Sequence, residues 1–140
     1  MSLAFKNDAL IVQEYVYDFS VDGGTASTIT LSSKDNKDVL PVGAIVTNAT
    51  VWVQTAATSG GSATVSFGLG ADADGLLSAT AVASLTENAV IVGDSTVIPG
   101  SAAVRVANAA GGAVTATIAT AALTAGKISV LVEYLYPQGK

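Results

Sequence analysis

IVTNATVWVQTAATSGGSATVSFGL, residues 45–69, is the stretch that decides the fold class of this chain. Its first half alternates, so that Val51 and Val53 share one face of a strand while Trp52 lies on the other. A run of small residues with a Gly-Gly pair follows, and residues 63–69 alternate again. Period-two alternation on both sides of a glycine turn predicts two antiparallel β-strands joined as a hairpin.

The same pattern recurs along the rest of the chain. β-Branched runs separated by Gly, Asp and Pro repeat about every eight to twelve residues, which is typical of a β-sandwich or barrel. Residues 76–85 fit either a short helix or a loosely patterned strand. We therefore predict an all-β fold, a jelly-roll-like antiparallel β-sandwich of about eight strands. The predicted runs are 9–21, 25–33, 45–55, 63–69, 88–98, 102–109, 113–120 and 127–136.

The 140 residues suit a single domain, and no linker is apparent within them. Residues 9–136 form the predicted sandwich, with residues 1–8 as an N-terminal arm and residues 137–140 as a short C-terminal tail. The start of the chain lacks a basic region before an apolar run, so no secretory signal is predicted. No stretch approaches the ~18 continuous apolar residues of a membrane helix, so we expect no membrane partner.

Two parts of the chain resemble each other. Residues 51–67 and residues 104–118 both read as strand, small-residue turn with Gly-Gly, and strand. Two hairpins of one design are typical of a Greek key or a jelly roll. Residues 127–136 are apolar on both faces, which predicts a central strand or one whose outer face meets a neighbouring subunit.

The composition limits the function. Hydrophobic residues make up 50% of the chain and charged residues only 12%, where a typical domain has about 25% charged residues. Such a weakly polar surface favours coverage by a partner. Cysteine and histidine are both absent, which removes thiolate nucleophiles and thiolate metal sites together with the commonest general base and transition-metal ligand, and leaves carboxylate pairs, lysine or a serine activated by lysine as the remaining routes to catalysis. We therefore expect no enzyme and no cofactor. Six scattered Lys and Arg residues against eleven Asp and Glu residues argue against a nucleic-acid partner.

Several motifs have a possible chemical role beside a structural one. The Gly-Gly turn lacks the lysine and the following helix of a phosphate loop. Asp72 and Asp74 resemble the start of a calcium loop, but a turn with solvated carboxylates is the favoured interpretation and ion binding stays open. Glu14 and Glu133 could form an acid–base couple, although outward, solubilising charges are favoured. Lys34–Asp38 is interpreted as a solvated loop, with docking to a larger assembly as the alternative.

The aromatic side chains could line a sugar-binding groove, but their alternation favours a core or a face towards another subunit. Arg105 is expected to point outward and could pair with a carboxylate of a neighbouring chain. The candidate contact residues are Leu3, Phe5, Trp52, Arg105, Tyr134 and Tyr136.

Two segments carry a resemblance to a known family. Residues 40–85 and residues 122–137 resemble small tailed-phage virion proteins of the capsid decoration, cement or head-fibre-like type. The shared features are a Pro-x-Gly-Ala-Ile-Val strand entry, the Thr-Ser-Gly-Gly-Ser-Ala-Thr-Val hairpin, an Ala-Asp-rich turn and a terminal Leu-Thr-Ala-Gly-Lys hairpin ending in Glu-Tyr. The resemblance implies a β-sandwich displayed on a phage particle, commonly oligomeric, with no family active site to carry over.

Residues and resemblance together predict a structural virion protein, made in the host cytoplasm and located on the capsid exterior. It would bind the major capsid protein as a homo-oligomer, specifically a trimer, and stabilise the shell. The main alternative is a receptor- or carbohydrate-binding knob of a phage fibre or tail. A hydrolase that uses Glu14 and Glu133 is a third alternative, and it would require both carboxylates in one cleft.

Overall fold

A computed structural model of the chain describes residues 10–33, 39–93, 104–106 and 108–136. The predicted arm and tail lie outside the described residues. Within the described ranges the chain forms one short helix, ten strands and two 3-10 turns, Val82–Ser84 and Ala109–Gly112. The helix and strands in chain order are β1 (Leu10–Asp18), α1 (Phe19–Asp22), β2 (Thr28–Thr30), β3 (Ser32–Ser33), β4 (Ile45–Ser59), β5 (Thr64–Leu69), β6 (Asp72–Ala81), β7 (Val90–Val92), β8 (Val104–Arg105), β9 (Val114–Ala119) and β10 (Leu123–Leu135).

The strands form two antiparallel sheets that pack as a sandwich. One sheet has six strands in the order β3-β1-β10-β4-β7, with β8 pairing to β4 beside β7. The other has four strands in the order β2-β9-β5-β6. Without β3, and with β7 and β8 counted as one strand position, each sheet has four strand positions. The connections between these positions follow the two Greek keys of a jelly roll. The predicted all-β sandwich is confirmed.

The glycine turns differ from the prediction. β4 belongs to the six-stranded sheet and β5 to the four-stranded sheet, so the Gly60-Gly61 turn carries the chain between sheets instead of closing a hairpin. The second Gly-Gly turn does the same between β8 and β9. Both predicted hairpins are therefore wrong. Close approach explains the second glycine of each pair, since a Cβ on Gly61 would lie 2.9 Å from the Cβ of Ala121 and one on Gly112 would collide with the carbonyl of Leu40.

The true hairpin of this region joins β5 to β6. Leu69 pairs with Asp72 across a two-residue loop in which Gly70 has a φ of 62°. The segment that resembles a terminal Leu-Thr-Ala-Gly-Lys hairpin instead lies inside β10, where it pairs with β4 through several register shifts. β-Bulges of this kind bend a strand without ending it.

β10 is the central strand of the six-stranded sheet, as predicted. It pairs with β1 on one side, starting at Leu10↔Leu135, and with β4 on the other. Its inward residues Ile128, Val130 and Val132 are fully buried. β-Branched side chains suit this position because they pack well on a pleated, buried surface. The largest fully buried side chains of the sandwich are Tyr15, Tyr17, Phe67, Leu31, Leu40, Leu76, Leu77, Leu85, Ile118, Ile128 and Val46.

Several element boundaries differ from the alternation pattern, and the predicted run 25–33 is divided between β2 and β3, which lie in different sheets. β1 ends at Asp18, three residues before the predicted end at residue 21, because the Asp18 carboxylate accepts the backbone N–H of Ser20 at 2.9 Å and caps α1. The segment 76–85, which the pattern left open, contains both alternatives. It continues β6 to Ala81 and then forms the 3-10 turn.

Tyr17 fastens the end of β1 to the connection after α1. Its hydroxyl donates to the carbonyl of Gly23 at 2.7 Å, and its ring is buried. Burial first, and then the nearby carboxylates of Asp22 and Asp18, raise the pKa of Tyr17 to about 12. The phenol is therefore held neutral in the fold.

A substitution of Gly68 tests how closely the backbone of β5 approaches that of β6. A Cβ at this position would collide with the carbonyl of Asp72 and lie 2.6 Å from the carbonyl carbon of Ala73. We expect Gly68→Ala to lower the free energy of unfolding by about 1–3 kcal/mol, measured by urea denaturation. The control is Gly60→Ala, where a Cβ meets nothing within 4 Å, and its effect should stay within about 0.5 kcal/mol. Equal stability of the two variants would contradict the packing.

Tyr17 also predicts an alkaline loss of stability. A tyrosine whose pKa is about 12 when folded and about 10 when unfolded contributes stability that is complete below pH 10 and declines as the pH rises towards 12. Tyr17→Phe should cost about 1 kcal/mol at neutral pH through the lost hydrogen bond. Its stability should then fall less steeply than that of the wild type between pH 10 and 12. Urea denaturation across this range gives both slopes, and parallel slopes would contradict the assignment.

Candidate functional site

Large apolar side chains are exposed together on one side of the sandwich. Of the nine that the described part exposes, five lie on the solvent side of the six-stranded sheet, each between 39% and 63% exposed. None of the nine lies on the four-stranded sheet. The five are Leu10, Val12, Trp52, Val90 and Val92.

The strand register arranges these side chains in rows. We call this solvent side the outer face. Its residues are Leu10, Val12, Glu14 and Val16 of β1, Ser129, Leu131, Glu133 and Leu135 of β10, Ile45, Asn48, Thr50, Trp52 and Gln54 of β4, and Val90 and Val92 of β7. One row across the four strands is Val90, Trp52, Ser129 and Val16, and the next is Val92, Thr50, Leu131 and Glu14. Apolar side chains therefore dominate both flanks of the outer face.

A short hydrogen-bond chain crosses the middle of the outer face. The side-chain amide of Gln54 donates to the Ser129 hydroxyl at 2.5 Å, and this hydroxyl donates to Oε2 of Glu14 at 2.6 Å. Ser129 is fully buried beneath its neighbours. A hydrogen bond to a carboxylate is short and strong, so the chain fixes the position of the Glu14 carboxylate.

Glu14 and Glu133 lie close together on the outer face. Glu14 pairs with Leu131, and Glu133 pairs with Val12, so the two carboxylates are diagonal neighbours on adjacent strands. Diagonal neighbours have Cα atoms roughly 7–8 Å apart. The structure therefore brings together the two residues of the hydrolase alternative, but it places them on an open sheet face and not in a cleft.

A recess of about 290 Å³ lies at the end of the outer face beside α1. The Asp18 carboxylate there is 3.9 Å from the ammonium of Lys127. The hydrogen bonds from Ser20 first, and then the Lys127 charge, hold the pKa of Asp18 below its usual value. Asp22 accepts the backbone N–H of Asp18 at 2.9 Å. The carboxylates of Asp18 and Asp22 therefore stabilise the backbone around α1. Its lining residues are Val16, Asp18, Val21, Asp22, Ser32, Ser33, Gln54 and Lys127.

The other side of the sandwich has a different surface. The outward residues of β2 and β9 are small, and the hydroxyls of Thr28 and Thr117 are hydrogen-bonded at 2.9 Å across the two strands. Ala119 and Ala79 are likewise exposed. The two sheets therefore present chemically distinct surfaces, one of small residues and one of large aliphatic side chains with carboxylates.

The predicted contact residues lie in different parts of the structure. Trp52 lies on the outer face, and the backbone of Arg105 pairs with Ile45 at the edge of β4. Tyr134 is only 4% exposed and belongs to the core, where burial first and then Tyr136 raise its pKa. Its ring therefore offers little surface to another chain, whereas Tyr136 is partly buried against the core. Leu3 and Phe5 lie outside the described residues, as does the loop Lys34–Asp38.

Four of the five exposed apolar residues of the outer face were not among the predicted contact residues, namely Leu10, Val12, Val90 and Val92. All four belong to apolar runs in which neither face is polar, at 10–12 and 90–92. Consecutive apolar residues in a strand must place some side chains outward, because successive side chains point to opposite sides. The two apolar runs were therefore the sequence feature from which these exposed residues could have been predicted.

Asp72 and Asp74 are exposed at the start of β6. Within the described ranges, no three or more Asp and Glu side chains come together in a group that could hold a metal ion. None of the helical segments in the described part is long and apolar enough to cross a membrane.

Comparison with known proteins identifies the fold. No protein-family model matches the chain, and no curated protein matches it. Among solved structures, it is similar to a chain of the capsid asymmetric unit of cyanophage Pam1, with 24% identity and a TM-score of 0.67, covering 93% of this chain and 86% of that one. A chain in the acid-stable capsid of Helicobacter pylori bacteriophage KHP30 has 16% identity and a TM-score of 0.61, covering 93% and 90%. A chain in the capsid of Ralstonia phage GP4 has 16% identity and a TM-score of 0.59, covering 94% and 86%. This sandwich is thus a fold found in the capsids of three phages.

Proposed function

We propose that this chain is a structural virion protein that decorates a phage capsid and stabilises it by binding its outer surface as a trimer. The observation that carries the proposal is the exposed apolar outer face, on a sandwich whose fold occurs in phage capsids. Large apolar side chains on the surface of a free monomer are usually scattered singly, whereas five of them lie on this one face. A second protein that covers the outer face accounts for its composition.

Decoration stabilises a shell through mass action. A protein that binds assembled subunits and not separated ones shifts the equilibrium towards the assembled state. When the free concentration of the protein is 100 times its Kd, binding at one site stabilises the assembled state by about 2.7 kcal/mol. A capsid repeats each site many times. A contact that bridges two shell subunits therefore strengthens the whole particle without any chemical step.

The proposed partner is the major capsid protein, and the proposed location is the capsid exterior. The contacts are the N-terminal arm with Leu3 and Phe5, the strand around Trp52, the edge at Arg105 and the end of the sandwich at Tyr136. The net charge of −5 limits uncontrolled self-association of a surface that is otherwise weakly polar.

The alternative of a carbohydrate-binding knob needs aromatic rings on an open groove. Tyr15, Tyr17 and Tyr134 are instead buried in the core. Trp52 is exposed, but its row neighbours are aliphatic or small. No observation in the described part favours this alternative.

Capsids assembled without this protein provide the direct test. We expect the purified chain to co-sediment with them to a saturating copy number and to raise their temperature of disassembly, because it binds only the assembled shell. A variant without residues 1–8 should remain folded but reach lower occupancy at the same concentration. Failure of the full chain to co-sediment would refute the proposal, and equal occupancy of the truncated variant would refute the role of the arm.

Light scattering after size exclusion tests the trimer separately. We expect a mass about three times the 13.8 kDa of the single chain. Dilution should leave this mass unchanged if the subunit interface is of standard size, about 800 Å² per partner. A single-chain mass at high concentration would contradict a pre-formed trimer.

A further inference from the structure

We infer that the N-terminal arm of one copy, at residues 3–5, adds a strand to the open edge of β7 in a neighbouring copy. This inference rests on the proposed trimer, and it assigns the arm to the contact between copies. Three features carry it: the main-chain groups along the edge of β7, the apolar side chains beside them, and the distance from this edge to the start of β1.

β7 is an edge strand of the six-stranded sheet, and no other strand of the described ranges pairs with its outer side. In an antiparallel pair, residues that exchange main-chain hydrogen bonds with the partner alternate with residues that do not. Ala89 and Gly93, which flank β7, bond to the main chain of β4 at 2.9 and 2.8 Å. The alternation gives Ile91 the next bonds to β4. The N–H and C=O groups of Val90 and Val92 therefore point away from the sheet.

Such an edge is a template for main-chain pairing with another chain. Val90 and Val92 are 63% and 59% exposed, the most exposed of the five apolar residues on the outer face, and Trp52 pairs with Val90. An added strand covers these side chains best when it carries large apolar residues two positions apart. The edge strand β2 of the other sheet lacks such side chains, since Thr28 and Thr30 are the residues exposed there.

The sequence of the arm fits the edge of β7. Leu3 and Phe5 are two positions apart, and in a strand their side chains lie on the same side. Paired with β7, they would lie beside Val90 and Val92 and extend the apolar flank of the outer face. In this mode of recognition the main-chain bonds supply affinity, and the alternate side chains supply specificity.

The arm of the same copy is too short to make this contact. A strand added to β7 lies four strand spacings from β1, which is about 19 Å. Along the strands, Leu10 is four residues from the row of Glu14 and Val92, which is about 14 Å. The separation is thus roughly 23 Å, whereas the five residue steps from Phe5 to Leu10 span at most about 18 Å. A neighbouring copy therefore has to provide the arm.

An arm bound to β7 is a head-to-tail contact, because it joins two different surfaces of identical chains. Such contacts close into a ring when the rotation between neighbours fits, and a ring of three is the proposed trimer. Each copy then gives one arm and receives one. Loss of the arm would also weaken attachment to the capsid, since three linked copies bind a repeating shell more tightly than one copy does.

Introduced cysteines test the contact directly, because the chain contains none. An untagged Phe5→Cys chain is co-expressed with a tagged Val92→Cys chain and oxidised, and Leu3→Cys replaces Phe5→Cys in a second pair. We expect a disulfide between a tagged and an untagged chain on a non-reducing gel, since paired side chains of adjacent strands have Cβ atoms about 4.5–5.5 Å apart. The control replaces Val92→Cys by Val42→Cys, an exposed position outside β7, and should give at least tenfold less of this product. Equal yields would overturn the inference.

Two substitutions of Val92 separate main-chain pairing from a contact of side chains alone. Val92→Pro and Val92→Ala both shorten the side chain, but only proline removes the N–H that points away from β4. In a dilution series followed by light scattering, the trimer of Val92→Pro should dissociate at a concentration at least tenfold higher than that of Val92→Ala. The same concentration for both would contradict strand addition. Urea denaturation of both variants confirms that the sandwich is retained.

The outcomes separate this inference from the proposed function. If a variant without residues 1–8 keeps the trimer mass and no mixed disulfide forms, the inference is overturned, while decoration stands as long as the chain co-sediments with capsids. If the truncated variant is a monomer and the mixed disulfide forms, but the full chain does not bind capsids, the contact between copies stands and decoration fails. A single-chain mass for the full chain would overturn both the trimer and this inference.

Discussion

The antiparallel pairing of β10 with β4 is the contact on which the rest of the structure depends. It joins residues 123–135 to residues 45–59 and runs from Leu123↔Ser59 to Leu135↔Ile45. Both strands bury valines on the inward side. β1 pairs with the other edge of β10, and β7 pairs with the other edge of β4. This pairing is non-local, so the chain must lose the entropy of closing a long loop before the contacts between β4 and β10 stabilise it. The jelly roll therefore cannot form step by step from hairpins of neighbouring strands.

The same two strands also generate the outer face. Because successive side chains of a strand point to opposite sides, burying Val51 and Val130 commits Trp52 and Leu131 to the outer face. The four-stranded sheet meets the same geometric requirement with threonine and alanine. One sandwich therefore carries two unlike surfaces, and among the described residues only the six-stranded sheet exposes large apolar side chains on its solvent side.

Alternation in the sequence was sufficient to predict most of the strands, though not β6, and the opposite orientation of Trp52 to Val51 and Val53, since a strand of period two allows only two faces. It was insufficient to identify pairing partners, because Gly60-Gly61 has the same composition whether it closes a hairpin or crosses between sheets. Tyr134 was misplaced for a related reason: periodicity groups a ring with its side of the strand but does not say which side is the core. The Ser129–Glu14 contact joins residues 115 positions apart, and no local pattern reports it.

The pairing of Leu10 with Leu135 has a consequence for the order of the chain itself. The first and last strands of the sandwich lie side by side and run antiparallel, so a connection of about two to five residues would link them as an ordinary β-hairpin. New ends could then be opened at the exposed Gly60-Gly61 crossing. The architecture is thus compatible with circular permutation, and a peptide inserted at that crossing would be displayed away from the native ends.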